Sequence, residues 1–341
     1  MGHDNIKTHA RKIHERCILV DGHNDHIIMK RQRGDPLALT KVNRRYHSDG
    51  PRLLKGGMTA SFFMVGGGDL ERSMVLIRQA YEEAAAHPDK LMLATRTSHI
   101  RTAKRTGRLA MVLSWESLSA LGSNLEILRL VYDLGIRVST VTHGEGGGPN
   151  DLQGTRSPFK YCTPGLRRAM HRRARGLTPF GKEAVREMNR LGILIDLAHA
   201  NDAAADDILE LTSKPVVSTH GGVFACCPHT RCSTDDQIRA VAATGGLVSI
   251  AFYGGFLRQP PGNATVDHIV DQISYVAELV GVEHVGIGTD FDGLGDEWPI
   301  VRTADKLPVL TETMVRRGFS DAEIRRIWGG NYLRVLAAAV D

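Results

Sequence analysis

Cysteine is scarce in this sequence, and its spacing argues against a disulfide framework. The five cysteines are Cys17, Cys162, Cys226, Cys227 and Cys232. Their number is odd and no two of them form a Cys-x-x-Cys pair. Reduced thiols in a cytoplasmic protein fit this pattern better than paired disulfides in a secreted one.

Targeting and membrane-spanning segments are also missing from the sequence. The first residues, Met-Gly-His-Asp-Asn-Ile-Lys, include no apolar core of a secretory signal and no Ser or Thr at position 6 for myristoylation. No apolar run reaches the ~18 residues that span a bilayer. We therefore expect a cytoplasmic protein without a membrane anchor.

Signatures of nucleotide and nucleic-acid binding are equally scarce. No Gly-x-Gly-x-x-Gly turn follows the first predicted strand, and there is no P-loop. The net charge of +5 comes mostly from a basic run beside Lys160. That run comprises Arg167, Arg168, Arg172, Arg173 and Arg175. No aromatic residue interleaves with it to stack on bases, so we interpret it as a solvated loop or helix face and expect no nucleic-acid partner.

Eight short apolar runs, mostly separated by helical patterns, are the main structural signal. The predicted strands cover residues 19–23, 58–65, 109–115, 136–141, 193–197, 215–218, 247–252 and 285–288. The predicted helices cover 70–86, 121–134, 178–189, 202–211, 235–243 and 266–280, with one more after the capping box at Ser320 and Glu323. This alternation predicts a single (β/α)8 TIM-like barrel, with a doubly wound open sheet as the alternative.

We expect one domain over residues 1–341 of the chain. Residues 1–16 are predicted to form a helical extension at its N-terminus. Residues 144–176 are predicted to form a long loop or insert on the active-site side, and its first part is rich in glycine. The stretch from Asp25 to about Leu54 is expected to be irregular.

Histidine and acidic residues follow six of the predicted strands at their C-terminal ends. They are His23, Asp25, Glu116, His143, His199, His220 and Asp290. In a barrel those ends meet on one face, where active sites form. A single histidine among 15 is more often an ordinary hydrogen-bonded residue. Six strands that are each followed by a His, Asp or Glu residue predict a metal-dependent active site on this face.

The number of candidate ligands suggests two metal ions. Five ligands come from His23, Asp25, Glu116, His199 and His220, with Asp290 as a candidate sixth. A carboxylate such as Glu116 can bridge two cations, and histidine-rich ligands fit zinc best, although manganese, iron and cobalt stay open. A bridging water or hydroxide would be the nucleophile, with Asp290 as general acid and base.

Longer motifs surround these residues. They include Asp21-Gly-His-Asn-Asp25, Gly56-Gly-Met-Thr-Ala60, Gly176-Leu-Thr-Pro-Phe-Gly181, Ile195-Asp-Leu-Ala-His199, Ser218-Thr-His220 and Val285-Gly-Ile-Gly-Thr-Asp-Phe-Asp-Gly293. From about residue 17 to residue 336 the chain resembles the membrane (renal) dipeptidase family, peptidase family M19. This family comprises zinc metallopeptidases of the amidohydrolase-like barrels.

The resemblance implies a role for each matching residue. His23 and Asp25 would hold one zinc, His199 and His220 the other, with Glu116 bridging them and contributing to catalysis beside Asp290. His143 would bind the substrate near the scissile carbonyl, and Arg231 would bind the substrate carboxylate. The implied reaction is hydrolysis of a small dipeptide, with C-terminal D-residues among the candidate substrates. A homodimer is compatible with the resemblance.

Four departures from the family pattern lie near the expected pocket. Ser117 stands where glycine is usual, Ser61 where glutamine is common, and Cys232 where asparagine is usual, while the Gly144–Asp151 loop is unlike that of dipeptidases. These departures leave two alternatives open. One is an amidohydrolase acting on another small amide or lactam, and the other is a non-catalytic metal-binding barrel. A binding protein would have no need of Asp290 as an acid or base.

Overall fold

Short strands alternate with helices along the chain. The structure, a computed structural model, describes residues 3–148, 151–295 and 297–341. Its strands are β1 (Leu19–Asn24), β2 (Met58–Met64), β3 (Leu91–Leu93), β4 (Leu109–Glu116), β5 (Ile136–Thr140), β6 (Leu194–Asp196), β7 (Val217–Ser218), β8 (Gly222–Val223), β9 (Cys232–Ser233), β10 (Leu247–Ile250) and β11 (Val285–Ile287).

The helices fall between and after these strands. They are α1 (His3–Arg16), α2 (His26–Gln32), α3 (Gly50–Lys55), α4 (Leu70–Ala86), α5 (Thr97–Thr106), α6 (Leu125–Asp133), α7 (Pro164–Arg173), α8 (Pro179–Leu191), α9 (Asp202–Leu211), α10 (Asp235–Ala243), α11 (Gly254–Leu257), α12 (Val266–Val280), α13 (Pro308–Arg316), α14 (Asp321–Arg325) and α15 (Asn331–Ala339). In the part of the chain that the structure describes, none of them is long and apolar enough to cross a membrane.

Eight parallel strands form the wall of a nearly closed barrel. Their order is β1-β2-β4-β5-β6-β7-β10-β11, and they correspond one to one to the eight predicted strands. The ring is completed by a parallel bridge between Asn24 and Phe291, beside a 2.9 Å hydrogen bond from Asp25 N to Phe291 O. The prediction of a single (β/α)8 barrel is therefore confirmed, and the doubly wound alternative is wrong.

The interior of the barrel is filled by side chains. A buried apolar cluster that includes Val20, Phe62 and Val112 also takes in Tyr332 from α15. Tyr332 lies so close to the first strand that a Cβ on Gly22 would collide with its hydroxyl group, which explains the glycine between Asp21 and His23. The predicted site residues therefore lie beyond this packed interior, at the C-terminal ends of the strands.

Several helices differ from their predicted extents. Helices α4, α9, α10 and α12 have the predicted bounds, whereas α8 continues two residues beyond Asn189. Helix α6 begins later than predicted, because a 3-10 turn ends at Gly122, whose φ of 53° is left-handed, and Asn124 caps the helix. The stretch after Asp25 is not irregular throughout, since α2 and α3 lie in it.

The 144–176 insert runs across the C-terminal end of the barrel. It is attached by isolated bridges from Gln153 to Leu177 and from Tyr161 to His229. It also contains α7, which was expected as part of a loop. Pro149 and Asn150 in the predicted glycine-rich loop lie outside the described residues.

Candidate active site

The five predicted ligands converge around one carboxylate oxygen at the end of β4. Glu116 Oε1 lies 3.6 Å from His23 Nε2, 3.0 Å from His199 Nε2 and 3.5 Å from His220 Nε2. The fifth residue, Asp25, places Oδ2 3.3 Å from His23 Nε2. Glu116 therefore lies between a His–Asp pair from β1 and a His–His pair from β6 and β7, which is where a bridging ligand has to be.

The two histidines that follow β6 and β7 lie close together, and the tautomer of His220 is set by its hydrogen bonds. Their Nε2 atoms are 3.0 Å apart. The Thr219 hydroxyl donates to Asp196 at 2.5 Å and lies 3.0 Å from His220 Nδ1. Because its only proton goes to Asp196, this hydroxyl accepts the proton of Nδ1 and leaves a lone pair on His220 Nε2.

The electrostatics of the site favour an added positive charge. Burial, together with the nearby charge of Arg231, lowers the pKa of His199 to about 3, and burial beside His23 also lowers the pKa of His220. Burial works against a charged His23 as well, yet the Glu116 and Asp25 carboxylates together raise its pKa well above the usual value. The neutral imidazoles of His199 and His220, together with carboxylates that stabilise a positive charge, are donor groups of a divalent-metal site, so the residues fit zinc.

Asp290 reaches the same point from the end of β11. A Cβ placed on Gly293 would collide with both Asp25 Oδ2 and Asp290 Oδ1, so these two oxygens converge on the same small volume. Burial raises the pKa of Asp290 to about 7, and the charges of Asp25 and Glu116 add to the increase while that of His23 opposes it. Such a carboxyl group can both take up and release a proton near neutral pH.

The loops after the strands hold these side chains in unusual backbone conformations. His199 has a φ of 69°, Asp290 a φ of 58° and Ser117 a φ of 113°. Non-glycine residues rarely adopt positive φ and do so mainly where the surrounding structure enforces it, often at functional sites. The barrel therefore imposes the direction in which His199 and Asp290 point.

Two buried aspartates brace the ligand loops without facing the cavity. Asp21 accepts hydrogen bonds from Thr289 N at 2.7 Å and from Ser61 Oγ at 3.0 Å, and so ties β1 to β2 and to the segment after β11. Asp196 accepts from Thr219 N at 2.9 Å, between the two histidine-bearing loops. Sequence reasoning assigned no role to either aspartate, although both stand inside the motifs quoted above. Ser61 therefore belongs to this bracing and not to the wall of the cavity.

His143 lies at the edge of the site, more exposed than the ligands. Its Nε2 is 3.7 Å from Glu116 Oε2, and 57% of its side chain is exposed. Glu145 accepts a 2.8 Å hydrogen bond from His143 N and a second one from the Ser117 hydroxyl. Glu145, which sequence reasoning missed, thus connects the loop after β5 to the residue next to Glu116.

Arg231 enters the site from the segment before β9. Its side chain lines the same cavity as Glu116 and Asp290, and its guanidinium carbon lies 5.8 Å from the centre of the Phe256 ring. Within the described parts of the chain, its buried Nε has no hydrogen-bond partner. The neighbouring Cys232 points away, since its thiol lies 3.6 Å from Phe256 O and does not line the cavity.

A cavity of about 420 Å³ lies over the predicted ligands. Besides the predicted residues, its lining includes Arg156, Phe159, Tyr253, Phe256, Leu294 and Glu297. Sequence reasoning missed these residues because none of them belongs to one of the quoted motifs. All eight predicted site residues are nevertheless brought to one place, so the arrangement can hold cations, bind a carboxylate and transfer a proton.

The chain is similar to known proteins over nearly its whole length. The model of the membrane dipeptidase family (peptidase family M19) matches residues 7–341. Dipeptidase tcpJ from Claviceps purpurea (strain 20.1) is 28% identical over 361 residues, which cover 99% of this chain and 81% of that protein.

Two solved structures share the fold. One is the dipeptidase AC, a metallo peptidase of family M19, with a TM-score of 0.84 and 24% identity over 95% of this chain and 99% of that one. The other is a metallo peptidase from Rhodobacter sphaeroides liganded with a phosphinate mimic of the dipeptide L-Ala-D-Ala. It has a TM-score of 0.83 and 22% identity, with the same coverage of 95% and 99%.

Proposed function

The chain belongs to the membrane dipeptidase family, peptidase family M19, and from this premise we propose that it hydrolyses small dipeptides with two zinc ions. The resemblance expected from the motifs is thereby confirmed. The proposal treats residues 1–341 as one catalytic domain. The observation that carries it is the position of Glu116 Oε1, within 3.6 Å of the Nε2 atoms of three histidines.

The ligand sets are those that the family resemblance implies, and they are supported by the approach of all five side chains to one place. His23 and Asp25 would hold one zinc ion, and His199 and His220 would hold the other, with Glu116 shared between them. Bound there, zinc supplies a Lewis acid that polarises a carbonyl group and lowers the pKa of water. Asp21 and Asp196 would keep the ligand loops in register through their hydrogen bonds to Thr289 and Thr219.

Asp290 is the group that would move the proton. It is buried at the cavity, and burial raises its pKa to about 7. In the proposed reaction its carboxylate takes a proton from the attacking water and delivers that proton to the amide nitrogen as the C–N bond breaks. The same residue thereby serves as base and then as acid.

Arg231 and His143 would orient the dipeptide across the ligands. Arg231 lines the cavity with a buried Nε that lacks a partner within the described residues, and a substrate carboxylate would supply one. His143 lies 3.7 Å from Glu116 at the other side, where it can donate to the oxygen of the scissile carbonyl. A cavity of about 420 Å³ is of the size that small ligands occupy.

Metal analysis and a substrate panel together test the proposal. The purified protein, supplied with zinc, should contain close to two ions per chain, and one ion or none would contradict the binuclear site. The panel should include L,L and L,D dipeptides, their C-terminal amides, and a small lactam. Turnover of dipeptides alone supports the proposal, and turnover of the lactam alone would favour the amidohydrolase alternative. Two bound ions with no turnover would favour a binding protein.

A further inference from the structure

A second arginine, Arg156, lines the cavity, and the proposed mechanism assigns it no role. It lines the cavity together with Arg231, Phe159 and Glu297. Among the residues that the structure describes, the Arg156 side chain has neither a hydrogen bond nor an ion pair, and it is exposed. Its charge is therefore available to a ligand.

The backbone that carries Arg156 is held firmly on both sides. Thr155 O accepts a 2.6 Å hydrogen bond from Asn201 Nδ2. Ser157 donates from its N to Gly144 O at 2.9 Å and from its hydroxyl to His199 O at 2.5 Å. The segment that presents Arg156 is thus tied directly to the loop of a proposed metal ligand, whereas its guanidinium has no partner within the described ranges.

No carboxylate of the cavity forms an ion pair with Arg156 among the residues that the structure describes. Glu297 lines the same cavity and accepts a 3.1 Å hydrogen bond from the Tyr253 hydroxyl. The remaining carboxylates, Asp25, Glu116 and Asp290, belong to the proposed metal centre and proton path. A dipeptide with uncharged side chains offers one carboxylate, which the proposed function assigns to Arg231. Such a substrate therefore leaves Arg156 without a carboxylate partner.

We propose that Arg156 binds the side-chain carboxylate of an acidic residue at the C-terminal position of the substrate. This inference rests on the proposed function and specifies its substrate class as dipeptides that end in aspartate or glutamate. Arginine suits the task because its planar guanidinium pairs with both oxygens of a carboxylate. The aromatic ring of Phe159, 63% exposed beside Arg156, provides an apolar wall for the methylene groups of that residue.

Matched dipeptides that end in aspartate or asparagine isolate the charge, since the two side chains have nearly the same shape. We expect kcat/KM to be roughly tenfold to a hundredfold higher for the aspartate substrate, as one charge-assisted pair provides. In Arg156→Met this ratio should fall to about one. In Arg156→Glu it should fall further, and dipeptides that end in lysine should gain. Arg172→Met, an exposed arginine of α7 that does not line the cavity, is the matched control and should keep the wild-type ratio.

Binding of free amino acids gives a second measurement that does not depend on turnover. Calorimetric titration of aspartate and asparagine into the zinc-loaded protein should show tighter binding of aspartate, and this difference should disappear in Arg156→Met. Equal binding of the two amino acids by the wild type, or a difference that survives in Arg156→Met, overturns the inference. If dipeptides are hydrolysed with a ratio near one, only the inference fails. If no dipeptide is hydrolysed although two ions are bound, the proposed function fails, and the titration still decides the role of Arg156.

Discussion

The cavity is built from two regions that control their side chains in different ways. The ends of β1, β4, β6, β7 and β11 supply the presumed metal ligands and Asp290. Their backbone directions are imposed by the barrel, as the positive φ of His199 and Asp290 shows. The 144–176 insert supplies Arg156 and Phe159 to the cavity, and it is held by bridges and by hydrogen bonds to the loops around it rather than by the barrel sheet. The comparison suggests that the strand ends determine the reaction and the insert determines the substrate.

The sharpest test of this division is a change of one glutamate in each region. Glu116→Gln removes the charge shared by both ligand sets, so we expect metal content to fall from about two ions to one or fewer. Turnover should drop by at least about a thousandfold, because several kcal/mol of transition-state stabilisation disappear. Glu145→Gln in the insert is the matched control and should keep both ions. Metal analysis checks both variants, and equal metal loss in the two would remove the distinction between the regions.

Asp290→Asn tests whether Asp290 transfers a proton without being needed to bind metal. The amide has the same shape as the carboxyl group but cannot exchange a proton near neutral pH. We expect metal content to stay near two ions and kcat to fall by roughly 10²–10⁴, the range of a lost general acid and base. A variant that keeps its activity would exclude Asp290 as the proton carrier. One that loses its metal would make it a ligand instead.

Arg231→Ala tests the substrate end of the cavity on the barrel side. Removal of the guanidinium should raise KM for dipeptides with a free C-terminal carboxylate by roughly tenfold to a hundredfold. This is about the contribution of one hydrogen-bonded ion pair to binding. For the corresponding amides the increase should be much smaller, because they have no charge at that end. Steady-state kinetics on both substrate series measures the difference. Equal effects on acid and amide would argue against this contact.

The same contrast explains how far the sequence could predict the molecule. Strands of a parallel barrel are buried on both faces, so they appear as nearly continuous apolar runs, and all eight could be located. The residues directly after them, such as Glu116 and His199, could then be placed on one face. Strand β3 (Leu91–Leu93) was missed; it lies outside the eight-stranded ring and pairs with the start of β4.

Residues of the insert could not be predicted in this way. Arg156 and Arg172 are chemically identical in the sequence, and only the three-dimensional path of the chain places one at the cavity and the other away from it. The burial of a charged side chain could not be predicted from the sequence either. Lys30 on α2 is only 3% exposed, and its Nζ lies 5.7 Å from the centre of the Tyr46 ring. Helix α7 was the exception, because Thr163-Pro164 repeats the cap signal of Thr178-Pro179 and could have revealed it.

The two Thr-Pro caps, one in the insert and one on the barrel, allow a closely matched test of how the two regions differ, with the smallest expected effect. Thr163 accepts a hydrogen bond from Leu166 N at 3.2 Å in the insert, and Thr178 accepts one from Gly181 N at 3.0 Å on the barrel. Helix α8 buries several residues against the barrel, whereas the one buried residue of α7 is Arg167. Loss of a cap costs about 1 kcal/mol of helix stability.

We therefore expect Thr178→Ala to lower the free energy of unfolding by about 1 kcal/mol, because α8 unfolds together with the barrel. Thr163→Ala should change it by less than about 0.5 kcal/mol, because α7 buries a single residue and is joined to the barrel by the Arg167–Asp202 ion pair rather than by its cap. Urea denaturation at a fixed zinc concentration measures both values. Hydrogen exchange should show faster exchange in α7 for Thr163→Ala alone. A loss of global stability as large in Thr163→Ala as in Thr178→Ala would mean that the insert folds as part of the barrel, and the two regions could then no longer be treated as separately adjustable.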